Sequence, residues 1–168
     1  MKKIAPLLCL IIAFAVFAGC GPRSVEQEYE SHTVMIGNPW TDWDLLAEAE
    51  AAVGFSFGLP EVMADGYEIV SIRTMNNELL EVVYRYEELE VCVRKQKGEG
   101  QDISGDYNVY EICEETDYYG AVIMNYLNSV DPAAKQIISY HGYSWSLVAP
   151  NGYGVDLERE VLNWILKQ

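Results

Sequence analysis

The stretch ELLEVVYRYEELEVCVRKQ, residues 78–96, decides the fold class. Apolar and polar side chains alternate along each half of it, and many of them are β-branched or aromatic. So few residues separate the two halves that only a hairpin can join them, and strands joined by a hairpin are antiparallel. The stretch therefore predicts part of an antiparallel sheet.

Similar runs precede and follow this hairpin, each closed by a short turn. They are YEIVSIRTM before it and YNVYEIC, YYGAVIMNYL, KQIISYH and YSWSLVA after it. Together the runs predict an α+β architecture, an antiparallel sheet of about six to seven strands with an N-terminal and a C-terminal helix packed on it.

The two predicted helices lie at the two ends of this region. In NPWTDWDLLAEAEAAVGFSF, residues 38–57, Thr41 stands three positions before Asp44 as in a capping box, and Gly54 is suited to end the helix. Asp156 is the predicted cap of the C-terminal helix VDLEREVLNWILKQ. The apolar stripe predicted for that helix consists of Leu157, Val161, Trp164 and Ile165.

The N-terminus has the pattern of a lipoprotein signal peptide. Two lysines precede the uncharged run Ile4–Gly19, which is shorter than the roughly 20 residues of a membrane-spanning helix. Ala18 and Gly19 stand directly before Cys20, as in a lipobox, where signal peptidase cuts before a cysteine that then carries diacylglycerol. We expect the lipid on Cys20 to anchor the protein to the cell membrane, facing outside the cytoplasm. The alternative is a plain signal peptide with an incidental thiol.

Cleavage before Cys20 predicts three parts for the chain. Residues 1–19 are the signal peptide, residues 20–37 are a lipidated N-terminus and flexible tether, and residues 38–168 are one α+β domain. Loss of the two N-terminal lysines moves the formal charge from −15 to −17. Such a surface repels nucleic acid and anionic headgroups, so we expect neutral or cationic partners. The alternative is that the acidic surface only keeps the domain solvated.

Two cysteines remain in the predicted domain, Cys92 and Cys113. The midpoint between them falls in the loop KGEGQDISGD, which predicts a hairpin that places the two residues opposite each other. A disulfide and two free buried thiols both stay open, since an extracytoplasmic compartment permits the bridge without requiring it. Their wide spacing is not that of a zinc site.

Several stretches of the domain resemble one known family. They are NPW with AVGFSF, LPEVMADGYEIVSI, EVCVRKQKGEGQDISGDYN and GYSWSLVAPNGYGVDLEREVLNWI. Over residues 38–166 the chain resembles domain of unknown function 4367, which is common in secreted and membrane-attached proteins of Gram-positive gut bacteria, and the most specific part is residues 94–108. The resemblance implies a fold and an extracytoplasmic location but no activity.

The sequence favours a protein that is not an enzyme. Its only histidines are His32 in the tether and His141 beside a turn glycine, and it contains no phosphate-binding loop, nucleophile elbow or HExxH helix. A hydrolase that uses His141 is the outsider among the hypotheses, and we expect no cofactor.

An oxygen-rich loop is the only faint sign of a metal site. Asp102, Ser104, Asp106 and Asn108 alternate as in a calcium loop, but the glycine and glutamate that such a loop needs are replaced by Tyr107 and Cys113. The loop therefore predicts Asx turns that bind local backbone groups, and no metal.

Aromatic side chains are the remaining functional signal. Trp40 and Trp43 precede the first helix, and Tyr143 and Trp145 lie on the strand YSWSLVA. Trp145 is core if it packs beneath the C-terminal helix, and otherwise the four form an exposed binding surface. We expect a surface-tethered binding or sensing module for a lipid, glycan or protein partner; the alternative is a structural or accessory envelope lipoprotein.

Overall fold

The computed structural model describes residues 37–63, 66–130, 132–152 and 155–168. The predicted signal peptide, Cys20, His32 and nearly all of the tether lie outside the described residues, as does the side chain of Asp156, the predicted helix cap.

Across the described residues, eight antiparallel strands form one sheet in the order β1-β2-β3-β4-β8-β7-β6-β5. Their bounds are β1 Trp40–Asp42, β2 Glu68–Met75, β3 Leu79–Tyr86, β4 Leu89–Lys97, β5 Ile112–Tyr118, β6 Ala121–Leu127, β7 Ala134–Tyr140 and β8 Tyr143–Ala149. Two runs of sequential strands thus meet where β4 pairs with β8. The predicted α+β class with an antiparallel sheet is confirmed, but the sheet has eight strands rather than six or seven.

The additional strand, β1, occupies the stretch that was predicted to begin the first helix. Thr41 pairs with Thr74 of β2, and the N-cap position is Leu45, so the predicted capping box is wrong because the helix begins too far along the chain for Thr41 to reach its free amides. The helix α1 spans Leu46–Val53 instead. It ends as predicted at Gly54, whose φ of 71° is left-handed and whose amide donates a hydrogen bond to the Glu50 carbonyl over 2.9 Å.

The core lies on one side of the sheet, which we call the inner face. Alternate residues of the central strands point to it, and α1, residues 55–63 and α2, Val155–Ile165, contribute further side chains to the same buried cluster. Leu157, Val161 and Ile165 of α2 are buried, as the apolar stripe predicted. Trp164 was wrongly placed in that stripe, because it lies at the stripe's edge and 36% of it is exposed.

A long crossing loop covers the opposite, outer face. Residues 98–111, which we call the strap, run from β4 to β5 at the far edge of the sheet. The Gly100 amide donates to Ser139 Oγ of β7 over 2.9 Å, and the Gln101 amide donates to Ser144 Oγ of β8 over 3.1 Å. The strap also takes up most of the predicted strand YNVYEIC, so that β5 begins only at Ile112.

The predicted hairpin between Cys92 and Cys113 is therefore wrong. The two residues share the outer face and one register row, but Val148, Lys135 and Tyr126 lie between them in that row. Four interstrand spacings of about 4.8 Å separate their strands. Both are free thiols, and burial, followed by the charge of Glu81, raises the pKa of Cys92 to about 12.

Candidate functional site

The four aromatic residues predicted as a binding surface do not form one surface, although Tyr143 and Trp145 both lie around Lys95. Trp145 is only 1% exposed and packs in the core, with its ring 5.6 Å from that of Phe57. Trp40 packs with outer-face residues, its ring 4.6 Å from the Arg73 guanidinium. Trp43 and Tyr143 pack against the core cluster. The prediction of one common surface is therefore wrong, because strand pairing places Trp40 on the outer face and Tyr143 and Trp145 on the inner face.

A buried lysine lies among the inner-face aromatic rings. Lys95 Nζ is 4.4 Å from the Trp145 ring centre and 4.5 Å from that of Tyr143. It donates hydrogen bonds to the Ser56 carbonyl and to Gln168 Oε1, both over 2.6 Å. The ammonium therefore fastens residues 55–57 and the last residue of the chain to the sheet, and these contacts give it a structural role.

This lysine makes the stability of the fold depend on pH. Burial lowers the pKa of Lys95 to about 8, although the charge of Glu50 acts in the opposite direction. Because the unfolded chain holds this proton more tightly, the free energy of unfolding gains about 1 kcal/mol from Lys95 between pH 7 and pH 9. We predict that the difference in urea stability between the wild type and Lys95→Met changes by that amount over this range. A difference that does not vary with pH would contradict the assignment.

A second buried charged group lies on the outer face. The Glu81 carboxylate accepts hydrogen bonds from Arg73 Nε over 2.8 Å and from Arg94 Nε over 2.7 Å, and it is only 1% exposed. Burial by itself raises the pKa of Glu81, but the two guanidinium groups outweigh burial and hold that pKa below its usual range. Trp40 lies against both guanidinium groups, so the cluster ties β1 to the sheet.

The same cluster anchors the strap. Arg94 Nη1 donates to the Ile103 carbonyl over 2.9 Å. Gly105 has a φ of 63°, and a Cβ there would stand 2.2 Å from Arg94 Nη1, so both the backbone and the space favour glycine.

The oxygen-rich loop forms local turns, as predicted. Asp102 Oδ1 accepts a hydrogen bond from the Ser104 amide over 3.0 Å, and Asp106 Oδ1 accepts one from the Asn108 amide over 3.1 Å. Asp102 also pairs with the buried Lys135 at 3.2 Å. Among the described residues, no group of three or more histidine, cysteine, aspartate or glutamate side chains is arranged to hold a metal ion.

His141 lies in the turn between β7 and β8, as a turn residue is expected to. Its φ is 48° and that of Gly142 is 82°, a pair of left-handed values that suits a two-residue hairpin turn. The imidazole is exposed and stacks on the Tyr140 ring at 3.8 Å. This contact accounts for the position of the ring.

A groove lined by aliphatic and acidic residues lies between α1 and β2, and we call it the α1 groove. It encloses about 490 Å³. The residues that line it are Asp44, Leu45, Leu46, Ala47, Glu61, Val62, Glu68, Ile69 and Ile72. The groove therefore has an aliphatic floor and an acidic rim. Trp43 borders it, since the Trp43 amide donates to the Ile72 carbonyl over 3.0 Å.

One register row of the inner face is polar toward β5. In this row Gln136 of β7 pairs with Asn125 of β6, which pairs with Glu114 of β5. Gln136 Nε2 donates to Asn125 Oδ1 over 2.7 Å and also to Glu158 of α2. A cleft of about 220 Å³, the β5 cleft, is lined by Tyr118, Glu158, Arg159, Leu162 and Asn163.

The sequence contained signals for some of the features that were missed. Lys95 alternates with Val91 and Val93 in LEVCVRKQ, and Glu81 lies inside the apolar strand ELLEVVYRY. In both cases the signal was a charged residue at a strand position where an apolar residue is expected. The α1 groove had no such signal, because it depends on how residues 61–62 pack beside α1.

Comparisons with known proteins identified no relative of this chain. No family model, curated protein or solved structure matches this chain. The resemblance to domain of unknown function 4367 therefore stays a prediction. No helix within the described ranges is long and apolar enough to span a membrane.

Proposed function

We propose that this chain is a non-catalytic binding module, tethered outside the cytoplasm by the lipid predicted on Cys20. The observation that carries the proposal is the α1 groove, where Leu45 is 58% exposed and Val62 is 59% exposed. Two large aliphatic side chains exposed at the edge of one groove are typical of a surface that receives a partner.

Leu45 supports this proposal because folding gives no reason for a leucine at its position. It is the N-cap residue of α1, where serine, aspartate or asparagine stabilises a helix by binding a free amide, and its side chain forms no such bond. A leucine that neither caps the helix nor packs in the core is better explained by a contact with another molecule.

The rim of the groove indicates the chemistry of the partner. Asp44, Glu61 and Glu68 surround the aliphatic floor, and the whole chain carries a formal charge of −15. Such a rim repels phosphate and anionic lipid and attracts lysine and arginine. We therefore expect a protein segment that presents aliphatic side chains flanked by basic ones, for which an amphipathic helical peptide of leucine and lysine is a suitable probe.

Leu45→Ser provides the test, because its expected effects on stability and on binding are opposite. The serine caps α1, so the free energy of unfolding is expected to rise by about 1 kcal/mol. Loss of the leucine contact is expected to weaken binding of the leucine–lysine peptide by about tenfold or more. Binding is followed by tryptophan fluorescence, and Trp43→Phe is expected to remove most of the signal.

Val130→Ser is the matched control, since Val130 is exposed but does not line the groove. This control variant is expected to bind as the wild type does. Equal affinity of Leu45→Ser and wild type would refute the groove as the binding site. If neither the peptide nor neutral lipid vesicles nor cell-wall fragments bind the wild type, the accessory-lipoprotein alternative takes precedence.

A further inference from the structure

The edge strand β5 is exposed to solvent along its whole length. All seven of its residues are exposed, and one side of β5 pairs along its whole length with β6. Within the described ranges no strand pairs with its other side. The opposite edge of the sheet, β1, has only three residues. A long edge strand leaves a row of backbone amides and carbonyls free to pair with another chain.

This edge is held in place from both ends. Before the strand, the Glu111 carboxylate accepts a hydrogen bond from the Ser129 amide over 3.0 Å, and the Glu111 amide donates to Asn128 Oδ1 over 3.0 Å. At the end of the strand, Asp117 Oδ1 accepts a hydrogen bond from the Gly120 amide of the following turn over 3.2 Å. These contacts and the pairing with β6 order β5 and leave its other side free. A partner strand that binds there therefore costs β5 little conformational entropy.

The two faces of β5 differ in chemistry. Its inner-face residues are Ile112, Glu114, Thr116 and Tyr118, and the β5 cleft begins at Tyr118. Its outer-face residues are Cys113, Glu115 and Asp117. An added strand meets Ile112 at one end of the inner face and Tyr118 at the other, with Glu114 and Thr116 between them, and it meets the carboxylates of Glu115 and Asp117 on the outer face.

We propose that β5 binds an extended, basic segment of a partner protein by antiparallel or parallel strand addition. The segment alternates aliphatic side chains, which face inward, with lysine or arginine, which faces Glu115 and Asp117. One inward side chain enters the β5 cleft beside Leu162. The same acidic residues disfavour a second copy of this chain, because self-pairing centred on the strand brings Glu115 opposite its own counterpart.

The proposal is tested with a fluorescent peptide of alternating valine and lysine and with the full-length chain. The peptide is expected to bind and to slow hydrogen exchange of the amides within 112–118. An analogue with N-methyl groups on alternate amides keeps the charge but loses backbone hydrogen bonds along one edge, and its affinity is expected to be about 100-fold lower. A valine–glutamate peptide is expected not to bind.

A charge-matched pair of variants tests the role of the carboxylates. Glu115→Gln/Asp117→Asn is expected to weaken peptide binding about tenfold, because close charge pairs are lost. Glu78→Gln/Glu87→Gln removes the same charge from turns outside β5 and is expected to leave affinity nearly unchanged. Circular dichroism verifies that both double variants are folded.

Three results would overturn the proposal. The first is equal affinity for the peptide and its N-methyl analogue, which would indicate attraction by charge alone. The second is exchange protection that falls in the α1 groove and not in β5, which would assign the peptide to the site of the proposed function. The third is protection of β5 that appears without peptide as protein concentration rises, which would indicate self-association.

Discussion

Replacing Glu81 with alanine is expected to lower the free energy of unfolding by about 3–5 kcal/mol, because it leaves two partly buried guanidinium groups without their counter-charge. Arg73 and Arg94 both bind this one carboxylate, and Arg94 in turn binds the strap. Loss of Glu81 therefore loosens the contacts of β1 and of the strap together. Urea denaturation of the variant and the wild type at pH 7 measures the effect.

Glu90→Ala is the control for Glu81→Ala. Glu90 also pairs with an arginine, Arg85, but both side chains are about half exposed, at 46% and 51%. Exposed pairs contribute about 0–1 kcal/mol, so this variant is expected to be nearly as stable as the wild type. Equal losses in the two variants would contradict the view that burial makes the Glu81 cluster important.

The second large effect is expected for Trp145→Ala, which should lose about 3–5 kcal/mol of unfolding free energy. The ring is 1% exposed, packs on Phe57 and lies 4.4 Å from Lys95 Nζ. Its removal opens a cavity in the middle of the inner face and also takes away an aromatic neighbour of the buried ammonium. Chemical denaturation followed by circular dichroism gives the value.

Trp164→Ala removes an indole of the same size from an exposed position. Trp164 lies at the edge of α2, where Lys167 Nζ is 4.8 Å from its ring centre. An exposed contact of this kind contributes about 0.5–1 kcal/mol, so the expected loss is several times smaller than for Trp145→Ala. If Trp164→Ala proved the more destabilising variant, the assignment of Trp145 to the core would be untenable.

Alternation of apolar and polar residues predicted most of the sheet correctly. It marked β2, β3, β4, β6, β7 and β8, because each has a face that is at least partly buried. The same criterion misplaced β5, which has no buried face and carries Glu114, Glu115 and Asp117. It also missed β1, whose three residues are too few to show a period. Both errors fall on edges of the sheet, where pairing rather than burial defines the strand.

The spatial order of the strands could not be predicted in the same way. A symmetric hairpin between β4 and β5 satisfied every local pattern, yet β4 pairs with β8 and the strap carries the chain across the sheet. For the candidate site, the sequence suggested that Trp145 would be core but gave no sign of the α1 groove. That groove depends on how residues 61–62 and β2 pack beside α1, and a single sequence does not show such packing.

The pairing of β4 with β8 has a consequence for folding kinetics. Strands β2–β4 and β5–β8 are each joined by short turns, so each group can form from local contacts. The seam between the two groups joins residues far apart in the chain, such as Cys92 and Val148. Closing that seam orders the strap as well, since the strap binds Ser139 and Ser144 on the far side. We therefore expect the rate-limiting barrier to be the meeting of two preformed meanders, with the strap acquiring its structure at the same moment.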